Sequence, residues 1–135
     1  MSKKEVLPDG YLPAGKYYIG DPCYVLGRPH SNWESVLDES NFFENPYINK
    51  GLTALAFGTA FGDGEYLDQD GRKYPVDAGL IGATPVKMAT VKKPTGVHLL
   101  EFLEPFLCTT DGAVICFGRI RIDTDPQGED EDYEK

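Results

Sequence analysis

The sequence predicts an α+β, β-rich fold: a twisted, mostly antiparallel sheet or partial barrel with one covering helix. Three observations carry this expectation. Short runs rich in Val, Ile, Thr, Tyr and Phe recur between Gly, Pro and Asp-Gly turn signals. Only one stretch, Ser31 to Ser40, carries apolar residues at helical spacing. At 135 residues the chain is long enough for one domain around one core. Residues 1–122 read as a single globular domain and residues 123–135 as an acidic, disordered tail.

Residues 1–11 are polar and end near the turn pair Asp9-Gly10. Lys16 to Ile19 and Cys23 to Leu26 read as short strands, separated by Gly20-Asp21-Pro22. Pro22 fixes its own φ and pushes Asp21 toward an extended conformation, so the Asp21 carboxylate is placed to accept N–H bonds from the turn. Ser31 with Glu34 three positions on forms a capping box for the helix. Trp33, Val36 and Leu37 share one helical face, with Trp33 as a core anchor. Phe42 and Phe43 are expected to pin the helix exit to the sheet.

Leu52 to Thr59 is almost uncharged, as a central strand buried on both faces would be. Phe57 to Gly82 then holds six of the fifteen glycines and four aspartates. Glycines so dense specify geometry, because each costs backbone entropy and persists where φ is positive or backbones meet. Within the run, Glu65 to Leu67 and Arg72 to Val76 pair around Asp68-Gln69-Asp70-Gly71 as a hairpin. Ala78 to Ala83 is a short apolar strand, and Lys92 to Gly96 an exposed loop. Val97 to Cys108 is apolar, with an edge or a bend expected at Pro105. Ala113 to Ile122 reads as one alternating strand: Val114, Cys116, Gly118, Ile120 and Ile122 face the core, and Arg119 and Arg121 emerge side by side on the outer face.

Composition excludes several classes. The net charge is −9, of which residues 123–135 supply −6. No basic footprint for direct nucleic-acid binding exists. No apolar run reaches the length of about eighteen that a membrane helix needs, and the N-terminus lacks a secretory h-region. The three cysteines are odd in number and widely spaced, which points to buried thiols in a reducing compartment, not to disulfides or structural zinc. Phosphate-loop, zinc-protease, nucleophile-elbow and Cys-x-x-Cys signatures are absent, and no cofactor is expected.

The candidate binding residues are Asp21, Tyr24, Asp63, Tyr66, Tyr74 and Asp77. Each lies at or beside a glycine- or proline-marked corner. Rigid tyrosine faces beside small backbone gaps suit a planar ligand or a protein hot spot. Convergence of Asp21, Asp63 and Asp77 would instead suit a divalent metal and phosphodiester cleavage. Asp68, Asp70, Gly71 and Asp77 partly match a calcium loop, but Tyr66 stands where its first carboxylate belongs, and a hairpin turn explains the same residues. The acidic tail reads either as a solubilising segment or as a mimic of a phosphate backbone seated in a partner's basic groove.

Three stretches carry a resemblance: G-K-Y-Y-I-G-D-P-C-Y-V-L (Gly15 to Leu26) with the Trp33 helix, Gly58 to Gly82, and F-G-R-I-R-I-D-T (Phe117 to Thr124). Together they resemble a group of small uncharacterised proteins of tailed bacteriophages, over most of the chain. The resemblance implies a protein made in the cytoplasm of an infected host bacterium. It implies an accessory role, and such proteins often disable a host factor; the function expected is therefore non-enzymatic, binding and blocking or modulating a host bacterial protein such as a defence factor. The residues themselves leave two alternatives: a protein that binds or sequesters a small nucleotide signal, and a small metal-assisted hydrolase.

Overall fold

Two antiparallel sheets and a helix form three layers in the computed structural model, which describes residues 10–26 and 32–125. The strands are β1 (Tyr11–Leu12), β2 (Gly15–Gly20), β3 (Tyr47–Asn49), β4 (Leu52–Gly58), β5 (Gly64–Asp68), β6 (Lys73–Val76), β7 (Leu80–Pro85), β8 (His98–Phe102), β9 (Phe106–Asp111), β10 (Val114–Phe117) and β11 (Ile120–Asp123). One sheet has six strands in the order β1-β9-β10-β11-β5-β6; the other has five, β3-β4-β7-β2-β8. The β-rich α+β class read from the sequence is therefore present, with two open sheets in place of a single sheet or partial barrel.

The five-stranded sheet lies in the middle and is covered on both faces. Tyr17 and Ile19 of β2 and Ile81 and Ala83 of β7 point into the core between the sheets. There they meet Phe106, Ile115, Phe117, Ile120 and Ile122 of the six-stranded sheet. The opposite face packs Ala54 and Ala56 of β4 against Val25, Val36, Phe43 and Met88. Leu55 and Phe57 of β4 turn to the first core. This is the period-two consequence of a strand buried on both sides, as Leu52 to Thr59 predicts.

Gly82 of β7 is there because nothing larger fits. A Cβ at this position would overlap the Leu55 carbonyl oxygen and stand 2.7 Å from the Ala56 Cβ. Gly82→Ala is expected to lose about 2 kcal/mol, the overpacking range, read as a lower urea midpoint at unchanged slope.

The helix α1 (Asn32–Ser40) is the single α-helix among the described residues. The Ser31 half of the capping box and the Trp33 side chain lie outside the described residues, as do residues 126–135 of the acidic tail. The exit of α1 departs from expectation. Asn41, Phe42 and Phe43 all take positive φ, near 55–63°. Ser40 Oγ donates to the Val36 carbonyl and accepts from Phe43 N–H, which steadies the turn. Left-handed backbone costs roughly 1 kcal/mol per residue, and burying the Phe43 ring offsets it. Phe43 thus anchors the helix exit, whereas Phe42 points outward, 65% exposed.

Two further expectations are corrected. Cys23 to Leu26 is not a strand: Pro22–Tyr24 forms a 3-10 turn, with Asp21 as its cap and Pro22 in its first turn. Ala113 to Ile122 is not one strand but the hairpin β10–β11, with Phe117 facing Ile120 across Gly118-Arg119. Gly118 supplies the positive φ that the corner needs. Two turn residues shift the parity. Ile115 and Phe117 therefore face inward together with Ile120 and Ile122, and Cys116 does not join them in that core. Arg119 sits in the turn with its guanidinium 5.1 Å from the Phe102 ring centroid, whereas Arg121 lies on β11 with its guanidinium 3.6 Å from Cys116 Sγ. The bend at Pro105 is present and carries the chain from β8 in one sheet to β9 in the other. At the C-terminal end β11 runs one residue past the boundary at Ile122. Thr124 is fully buried, donating to the Ala113 carbonyl and accepting from Ala60 N–H.

Candidate binding site

The conformation of Gly20-Asp21-Pro22 aims the Asp21 carboxylate back into the protein. One oxygen accepts from Cys23 N–H at 2.9 Å; the other accepts from Asp77 N–H and Ala78 N–H, both at 2.7 Å. Asp21 is fully buried. It ties the end of β2 to the β6–β7 connection, and its lone pairs are occupied by main chain. Asp21 and Asp77 are thus brought together through the Asp77 backbone. The Asp63 side chain is exposed on the turn that precedes β5. Among the described residues no group of three His, Cys, Asp or Glu side chains stands close enough to hold a metal ion. The convergence considered for Asp21, Asp63 and Asp77 therefore does not form, nor does a calcium site.

The tyrosines divide in the same way. Tyr66 and Tyr74 face each other across β5–β6 and are both buried. Tyr66 donates to the Gly62 carbonyl at 3.1 Å, closing the glycine turn. Tyr74 donates to Asp68 Oδ2 at 2.7 Å. Asp68 also accepts from Asp70 N–H, Arg72 N–H and the Arg72 guanidinium, at 2.8, 2.9 and 3.0 Å. Burial alone would raise the Asp68 pKa. The bond from Tyr74, the bonds from Arg72 and that from Asp70 outweigh burial and hold it down, at about 2. Burial, and then the bond to Asp68, push the Tyr74 phenol far above its ordinary value. Tyr24 is half-buried and packs over the Gly96 backbone beside Pro75. Of the six residues singled out, Asp63, Asp77 and part of Tyr24 thus face solvent, while Asp21, Tyr66 and Tyr74 hold the scaffold.

The cysteines are all buried thiols, none of them in a disulfide. Burial pushes the Cys108 thiol up to about 12. Cys108 should therefore be alkylated at neutral pH at least about a thousandfold more slowly in the native protein than in urea, since the thiolate is the reacting form. Peptide mapping after iodoacetamide treatment checks this.

A cavity lies at the other end of β2. It is a groove of about 400 Å³ where the starts of β2 and β4 meet the end of β7. Pro13, Leu52, Pro85 and Val86 supply apolar walls, and Lys16 and Lys87 stand at it with both side chains exposed. No acidic residue lines it. Sequence reading missed this groove because its parts come from three separated stretches: 13–17, 51–53 and 85–87. The one signal available was the placement of isolated lysines next to Gly15 and Pro85-Val86. No family model matches the chain, and neither a curated protein nor a solved structure matches it.

Proposed function

We propose that the chain is a non-enzymatic binding protein that engages and blocks a bacterial host protein, in the cytoplasm where the phage resemblance would place it. The observation that carries this reading is where the carboxylates of the Gly20-Asp21-Pro22 corner and of the glycine-rich run go. Asp21 and Asp68 together accept from six N–H groups and a phenol within the chain itself, so these carboxylates shape a surface and are not poised for proton transfer. Apolar side chains are left at the periphery. Leu99 and Leu103 are 54% and 84% exposed, along or just beyond the edge strand β8. An edge strand with outward leucines suits strand addition or a protein contact.

Affinity capture from bacterial lysate, followed by cross-link mapping on the full chain, tests the reading. One bacterial protein recovered in stoichiometric amount, cross-linked to described surface residues, is the expected result. Turnover of a nucleotide or peptide by the purified protein, lost in Asp63→Asn or Asp77→Asn, would overturn it. The groove volume favours a second reading, since about 400 Å³ falls within the range of small-molecule sites. A nucleotide ligand would raise the melting temperature in proportion to the logarithm of its concentration.

A further inference from the structure

We infer that the groove at the ends of β2, β4 and β7 seats an extended acidic segment of the partner protein. The inference rests on the binding-protein reading above and names the chemistry of the contact.

Charge is the first argument. The chain carries 22 acidic against 13 basic residues, yet this groove is lined by two lysines and no acid. Among the described residues neither Lys16 nor Lys87 has an ion-pair partner. Lys16 lies opposite Glu101 of the edge strand β8, the one acid that strand pairing sets beside the groove. A negative occupant therefore meets two uncommitted cations, and a positive one meets the same cations as a barrier.

The kind of anion follows from how the groove is built. A small-molecule site fixes its ligand with a few rigid, converging polar groups. Here both cations sit on long, exposed side chains, and Pro13, Leu52, Pro85 and Val86 line the same groove. Flexible cations beside apolar groove walls suit carboxylates spaced along a chain that also carries apolar side chains. Alternating acidic and apolar residues in an extended segment present both sets at the right period.

The probe is a fluorescein-labelled peptide of alternating Glu and Leu, titrated with the full chain in an anisotropy assay; a Lys-Leu twin is the control. The Glu-Leu peptide is expected to bind and the twin not to. Lys16→Glu and Lys87→Glu should each weaken binding about tenfold, whereas Lys92→Glu on the exposed loop leaves it unchanged. Raising salt from about 50 to 200 mM should weaken it further. These lysines are exposed, so an unchanged melting temperature shows that the variants remain folded. Equal binding of both peptides, or undiminished binding by the double variant, overturns the inference. Zero-length cross-links from Lys16 or Lys87 to carboxylates of the chain other than the neighbouring Glu101, without peptide, would give the groove to the chain itself and overturn it too. A captured bacterial protein that the Lys16→Glu/Lys87→Glu variant still retains would move the contact elsewhere. That result sinks the groove and leaves the binding reading standing; capture of nothing by the unaltered chain sinks the reading itself.

Discussion

Asp21→Ala is expected to lower stability by about 4 kcal/mol, which for a chain of this size is a fall in melting temperature of roughly 12–16 °C. The substitution leaves the N–H groups of Cys23, Asp77 and Ala78 without their acceptor, at a corner where Asp21 itself is fully buried. Each stranded buried donor costs about 1–3 kcal/mol, and partial relaxation or water entry recovers some of the sum. Asp21→Asn keeps one carbonyl oxygen and so should fall between the two. It satisfies either Cys23 or the Asp77–Ala78 pair, and turns a donor toward the other. Urea titration followed by far-UV circular dichroism measures both. A loss under 1 kcal/mol in Asp21→Ala would show that the corner does not depend on this carboxylate, and would return Asp21 to the list of groups available to a ligand.

Asp68→Asn should cost about 3 kcal/mol at pH 7, in the range for removing one partner of a buried charge pair. An amide in place of the carboxylate sets a donor against the Tyr74 hydroxyl and the Arg72 guanidinium, both of which now donate to Asp68. The effect carries a pH signature. The folded-state pKa, about 2, lies below the ordinary value of 3.8, so the folded chain holds this carboxylate ionised where the unfolded chain has begun to protonate it. Its contribution is fully present above about pH 4 and is lost as the pH falls through about 2. The amount at stake is about 2 kcal/mol. The gap in unfolding free energy between Asp68→Asn and the unaltered chain should therefore narrow by that much between pH 4 and pH 2. A gap that stays constant would mean that Asp68 titrates alike in both states. Tyr74 acts on the alkaline side: its raised pKa adds stability below its ordinary value, and that stability goes as the pH climbs through the folded value.

Local features carried clearly through the sequence. The β5–β6 hairpin was legible because Asp68-Gln69-Asp70-Gly71 encodes its own turn: Asp68 accepts from Asp70 N–H and Arg72 N–H within four residues. β4 was legible because an uncharged run has no face to give to water. The errors came where two local readings compete. Asp21-Pro22 caps a 3-10 turn as readily as it precedes a strand, and contacts with Asp77 and Ala78, more than fifty residues away, favour the turn. Gly118 within an unbroken alternation reads as a small residue in a strand. Yet Gln69 of another hairpin bonds the Arg119 carbonyl and Arg121 N–H, which holds the chain folded back at that point. The candidate site was legible by half. The sequence marked a corner dense in Asp, Gly and Tyr, but not that Asp21 and Tyr74 are buried within it.

By itself the sequence determined that this chain is built of β-strands with one helix, where most of its turns fall, and that its charge is negative. Those properties depend on residues within a few positions of one another, whose periodicity and φ preferences act before any long-range contact forms. Only the tertiary structure decided that the strands divide into two sheets and that the Asp21 and Asp68 carboxylates bind main chain. It alone decided that two lysines 71 positions apart, Lys16 and Lys87, stand at one apolar groove. Such outcomes depend on which distant backbones meet, and a side chain's freedom to act is settled by the partners that the fold brings to it.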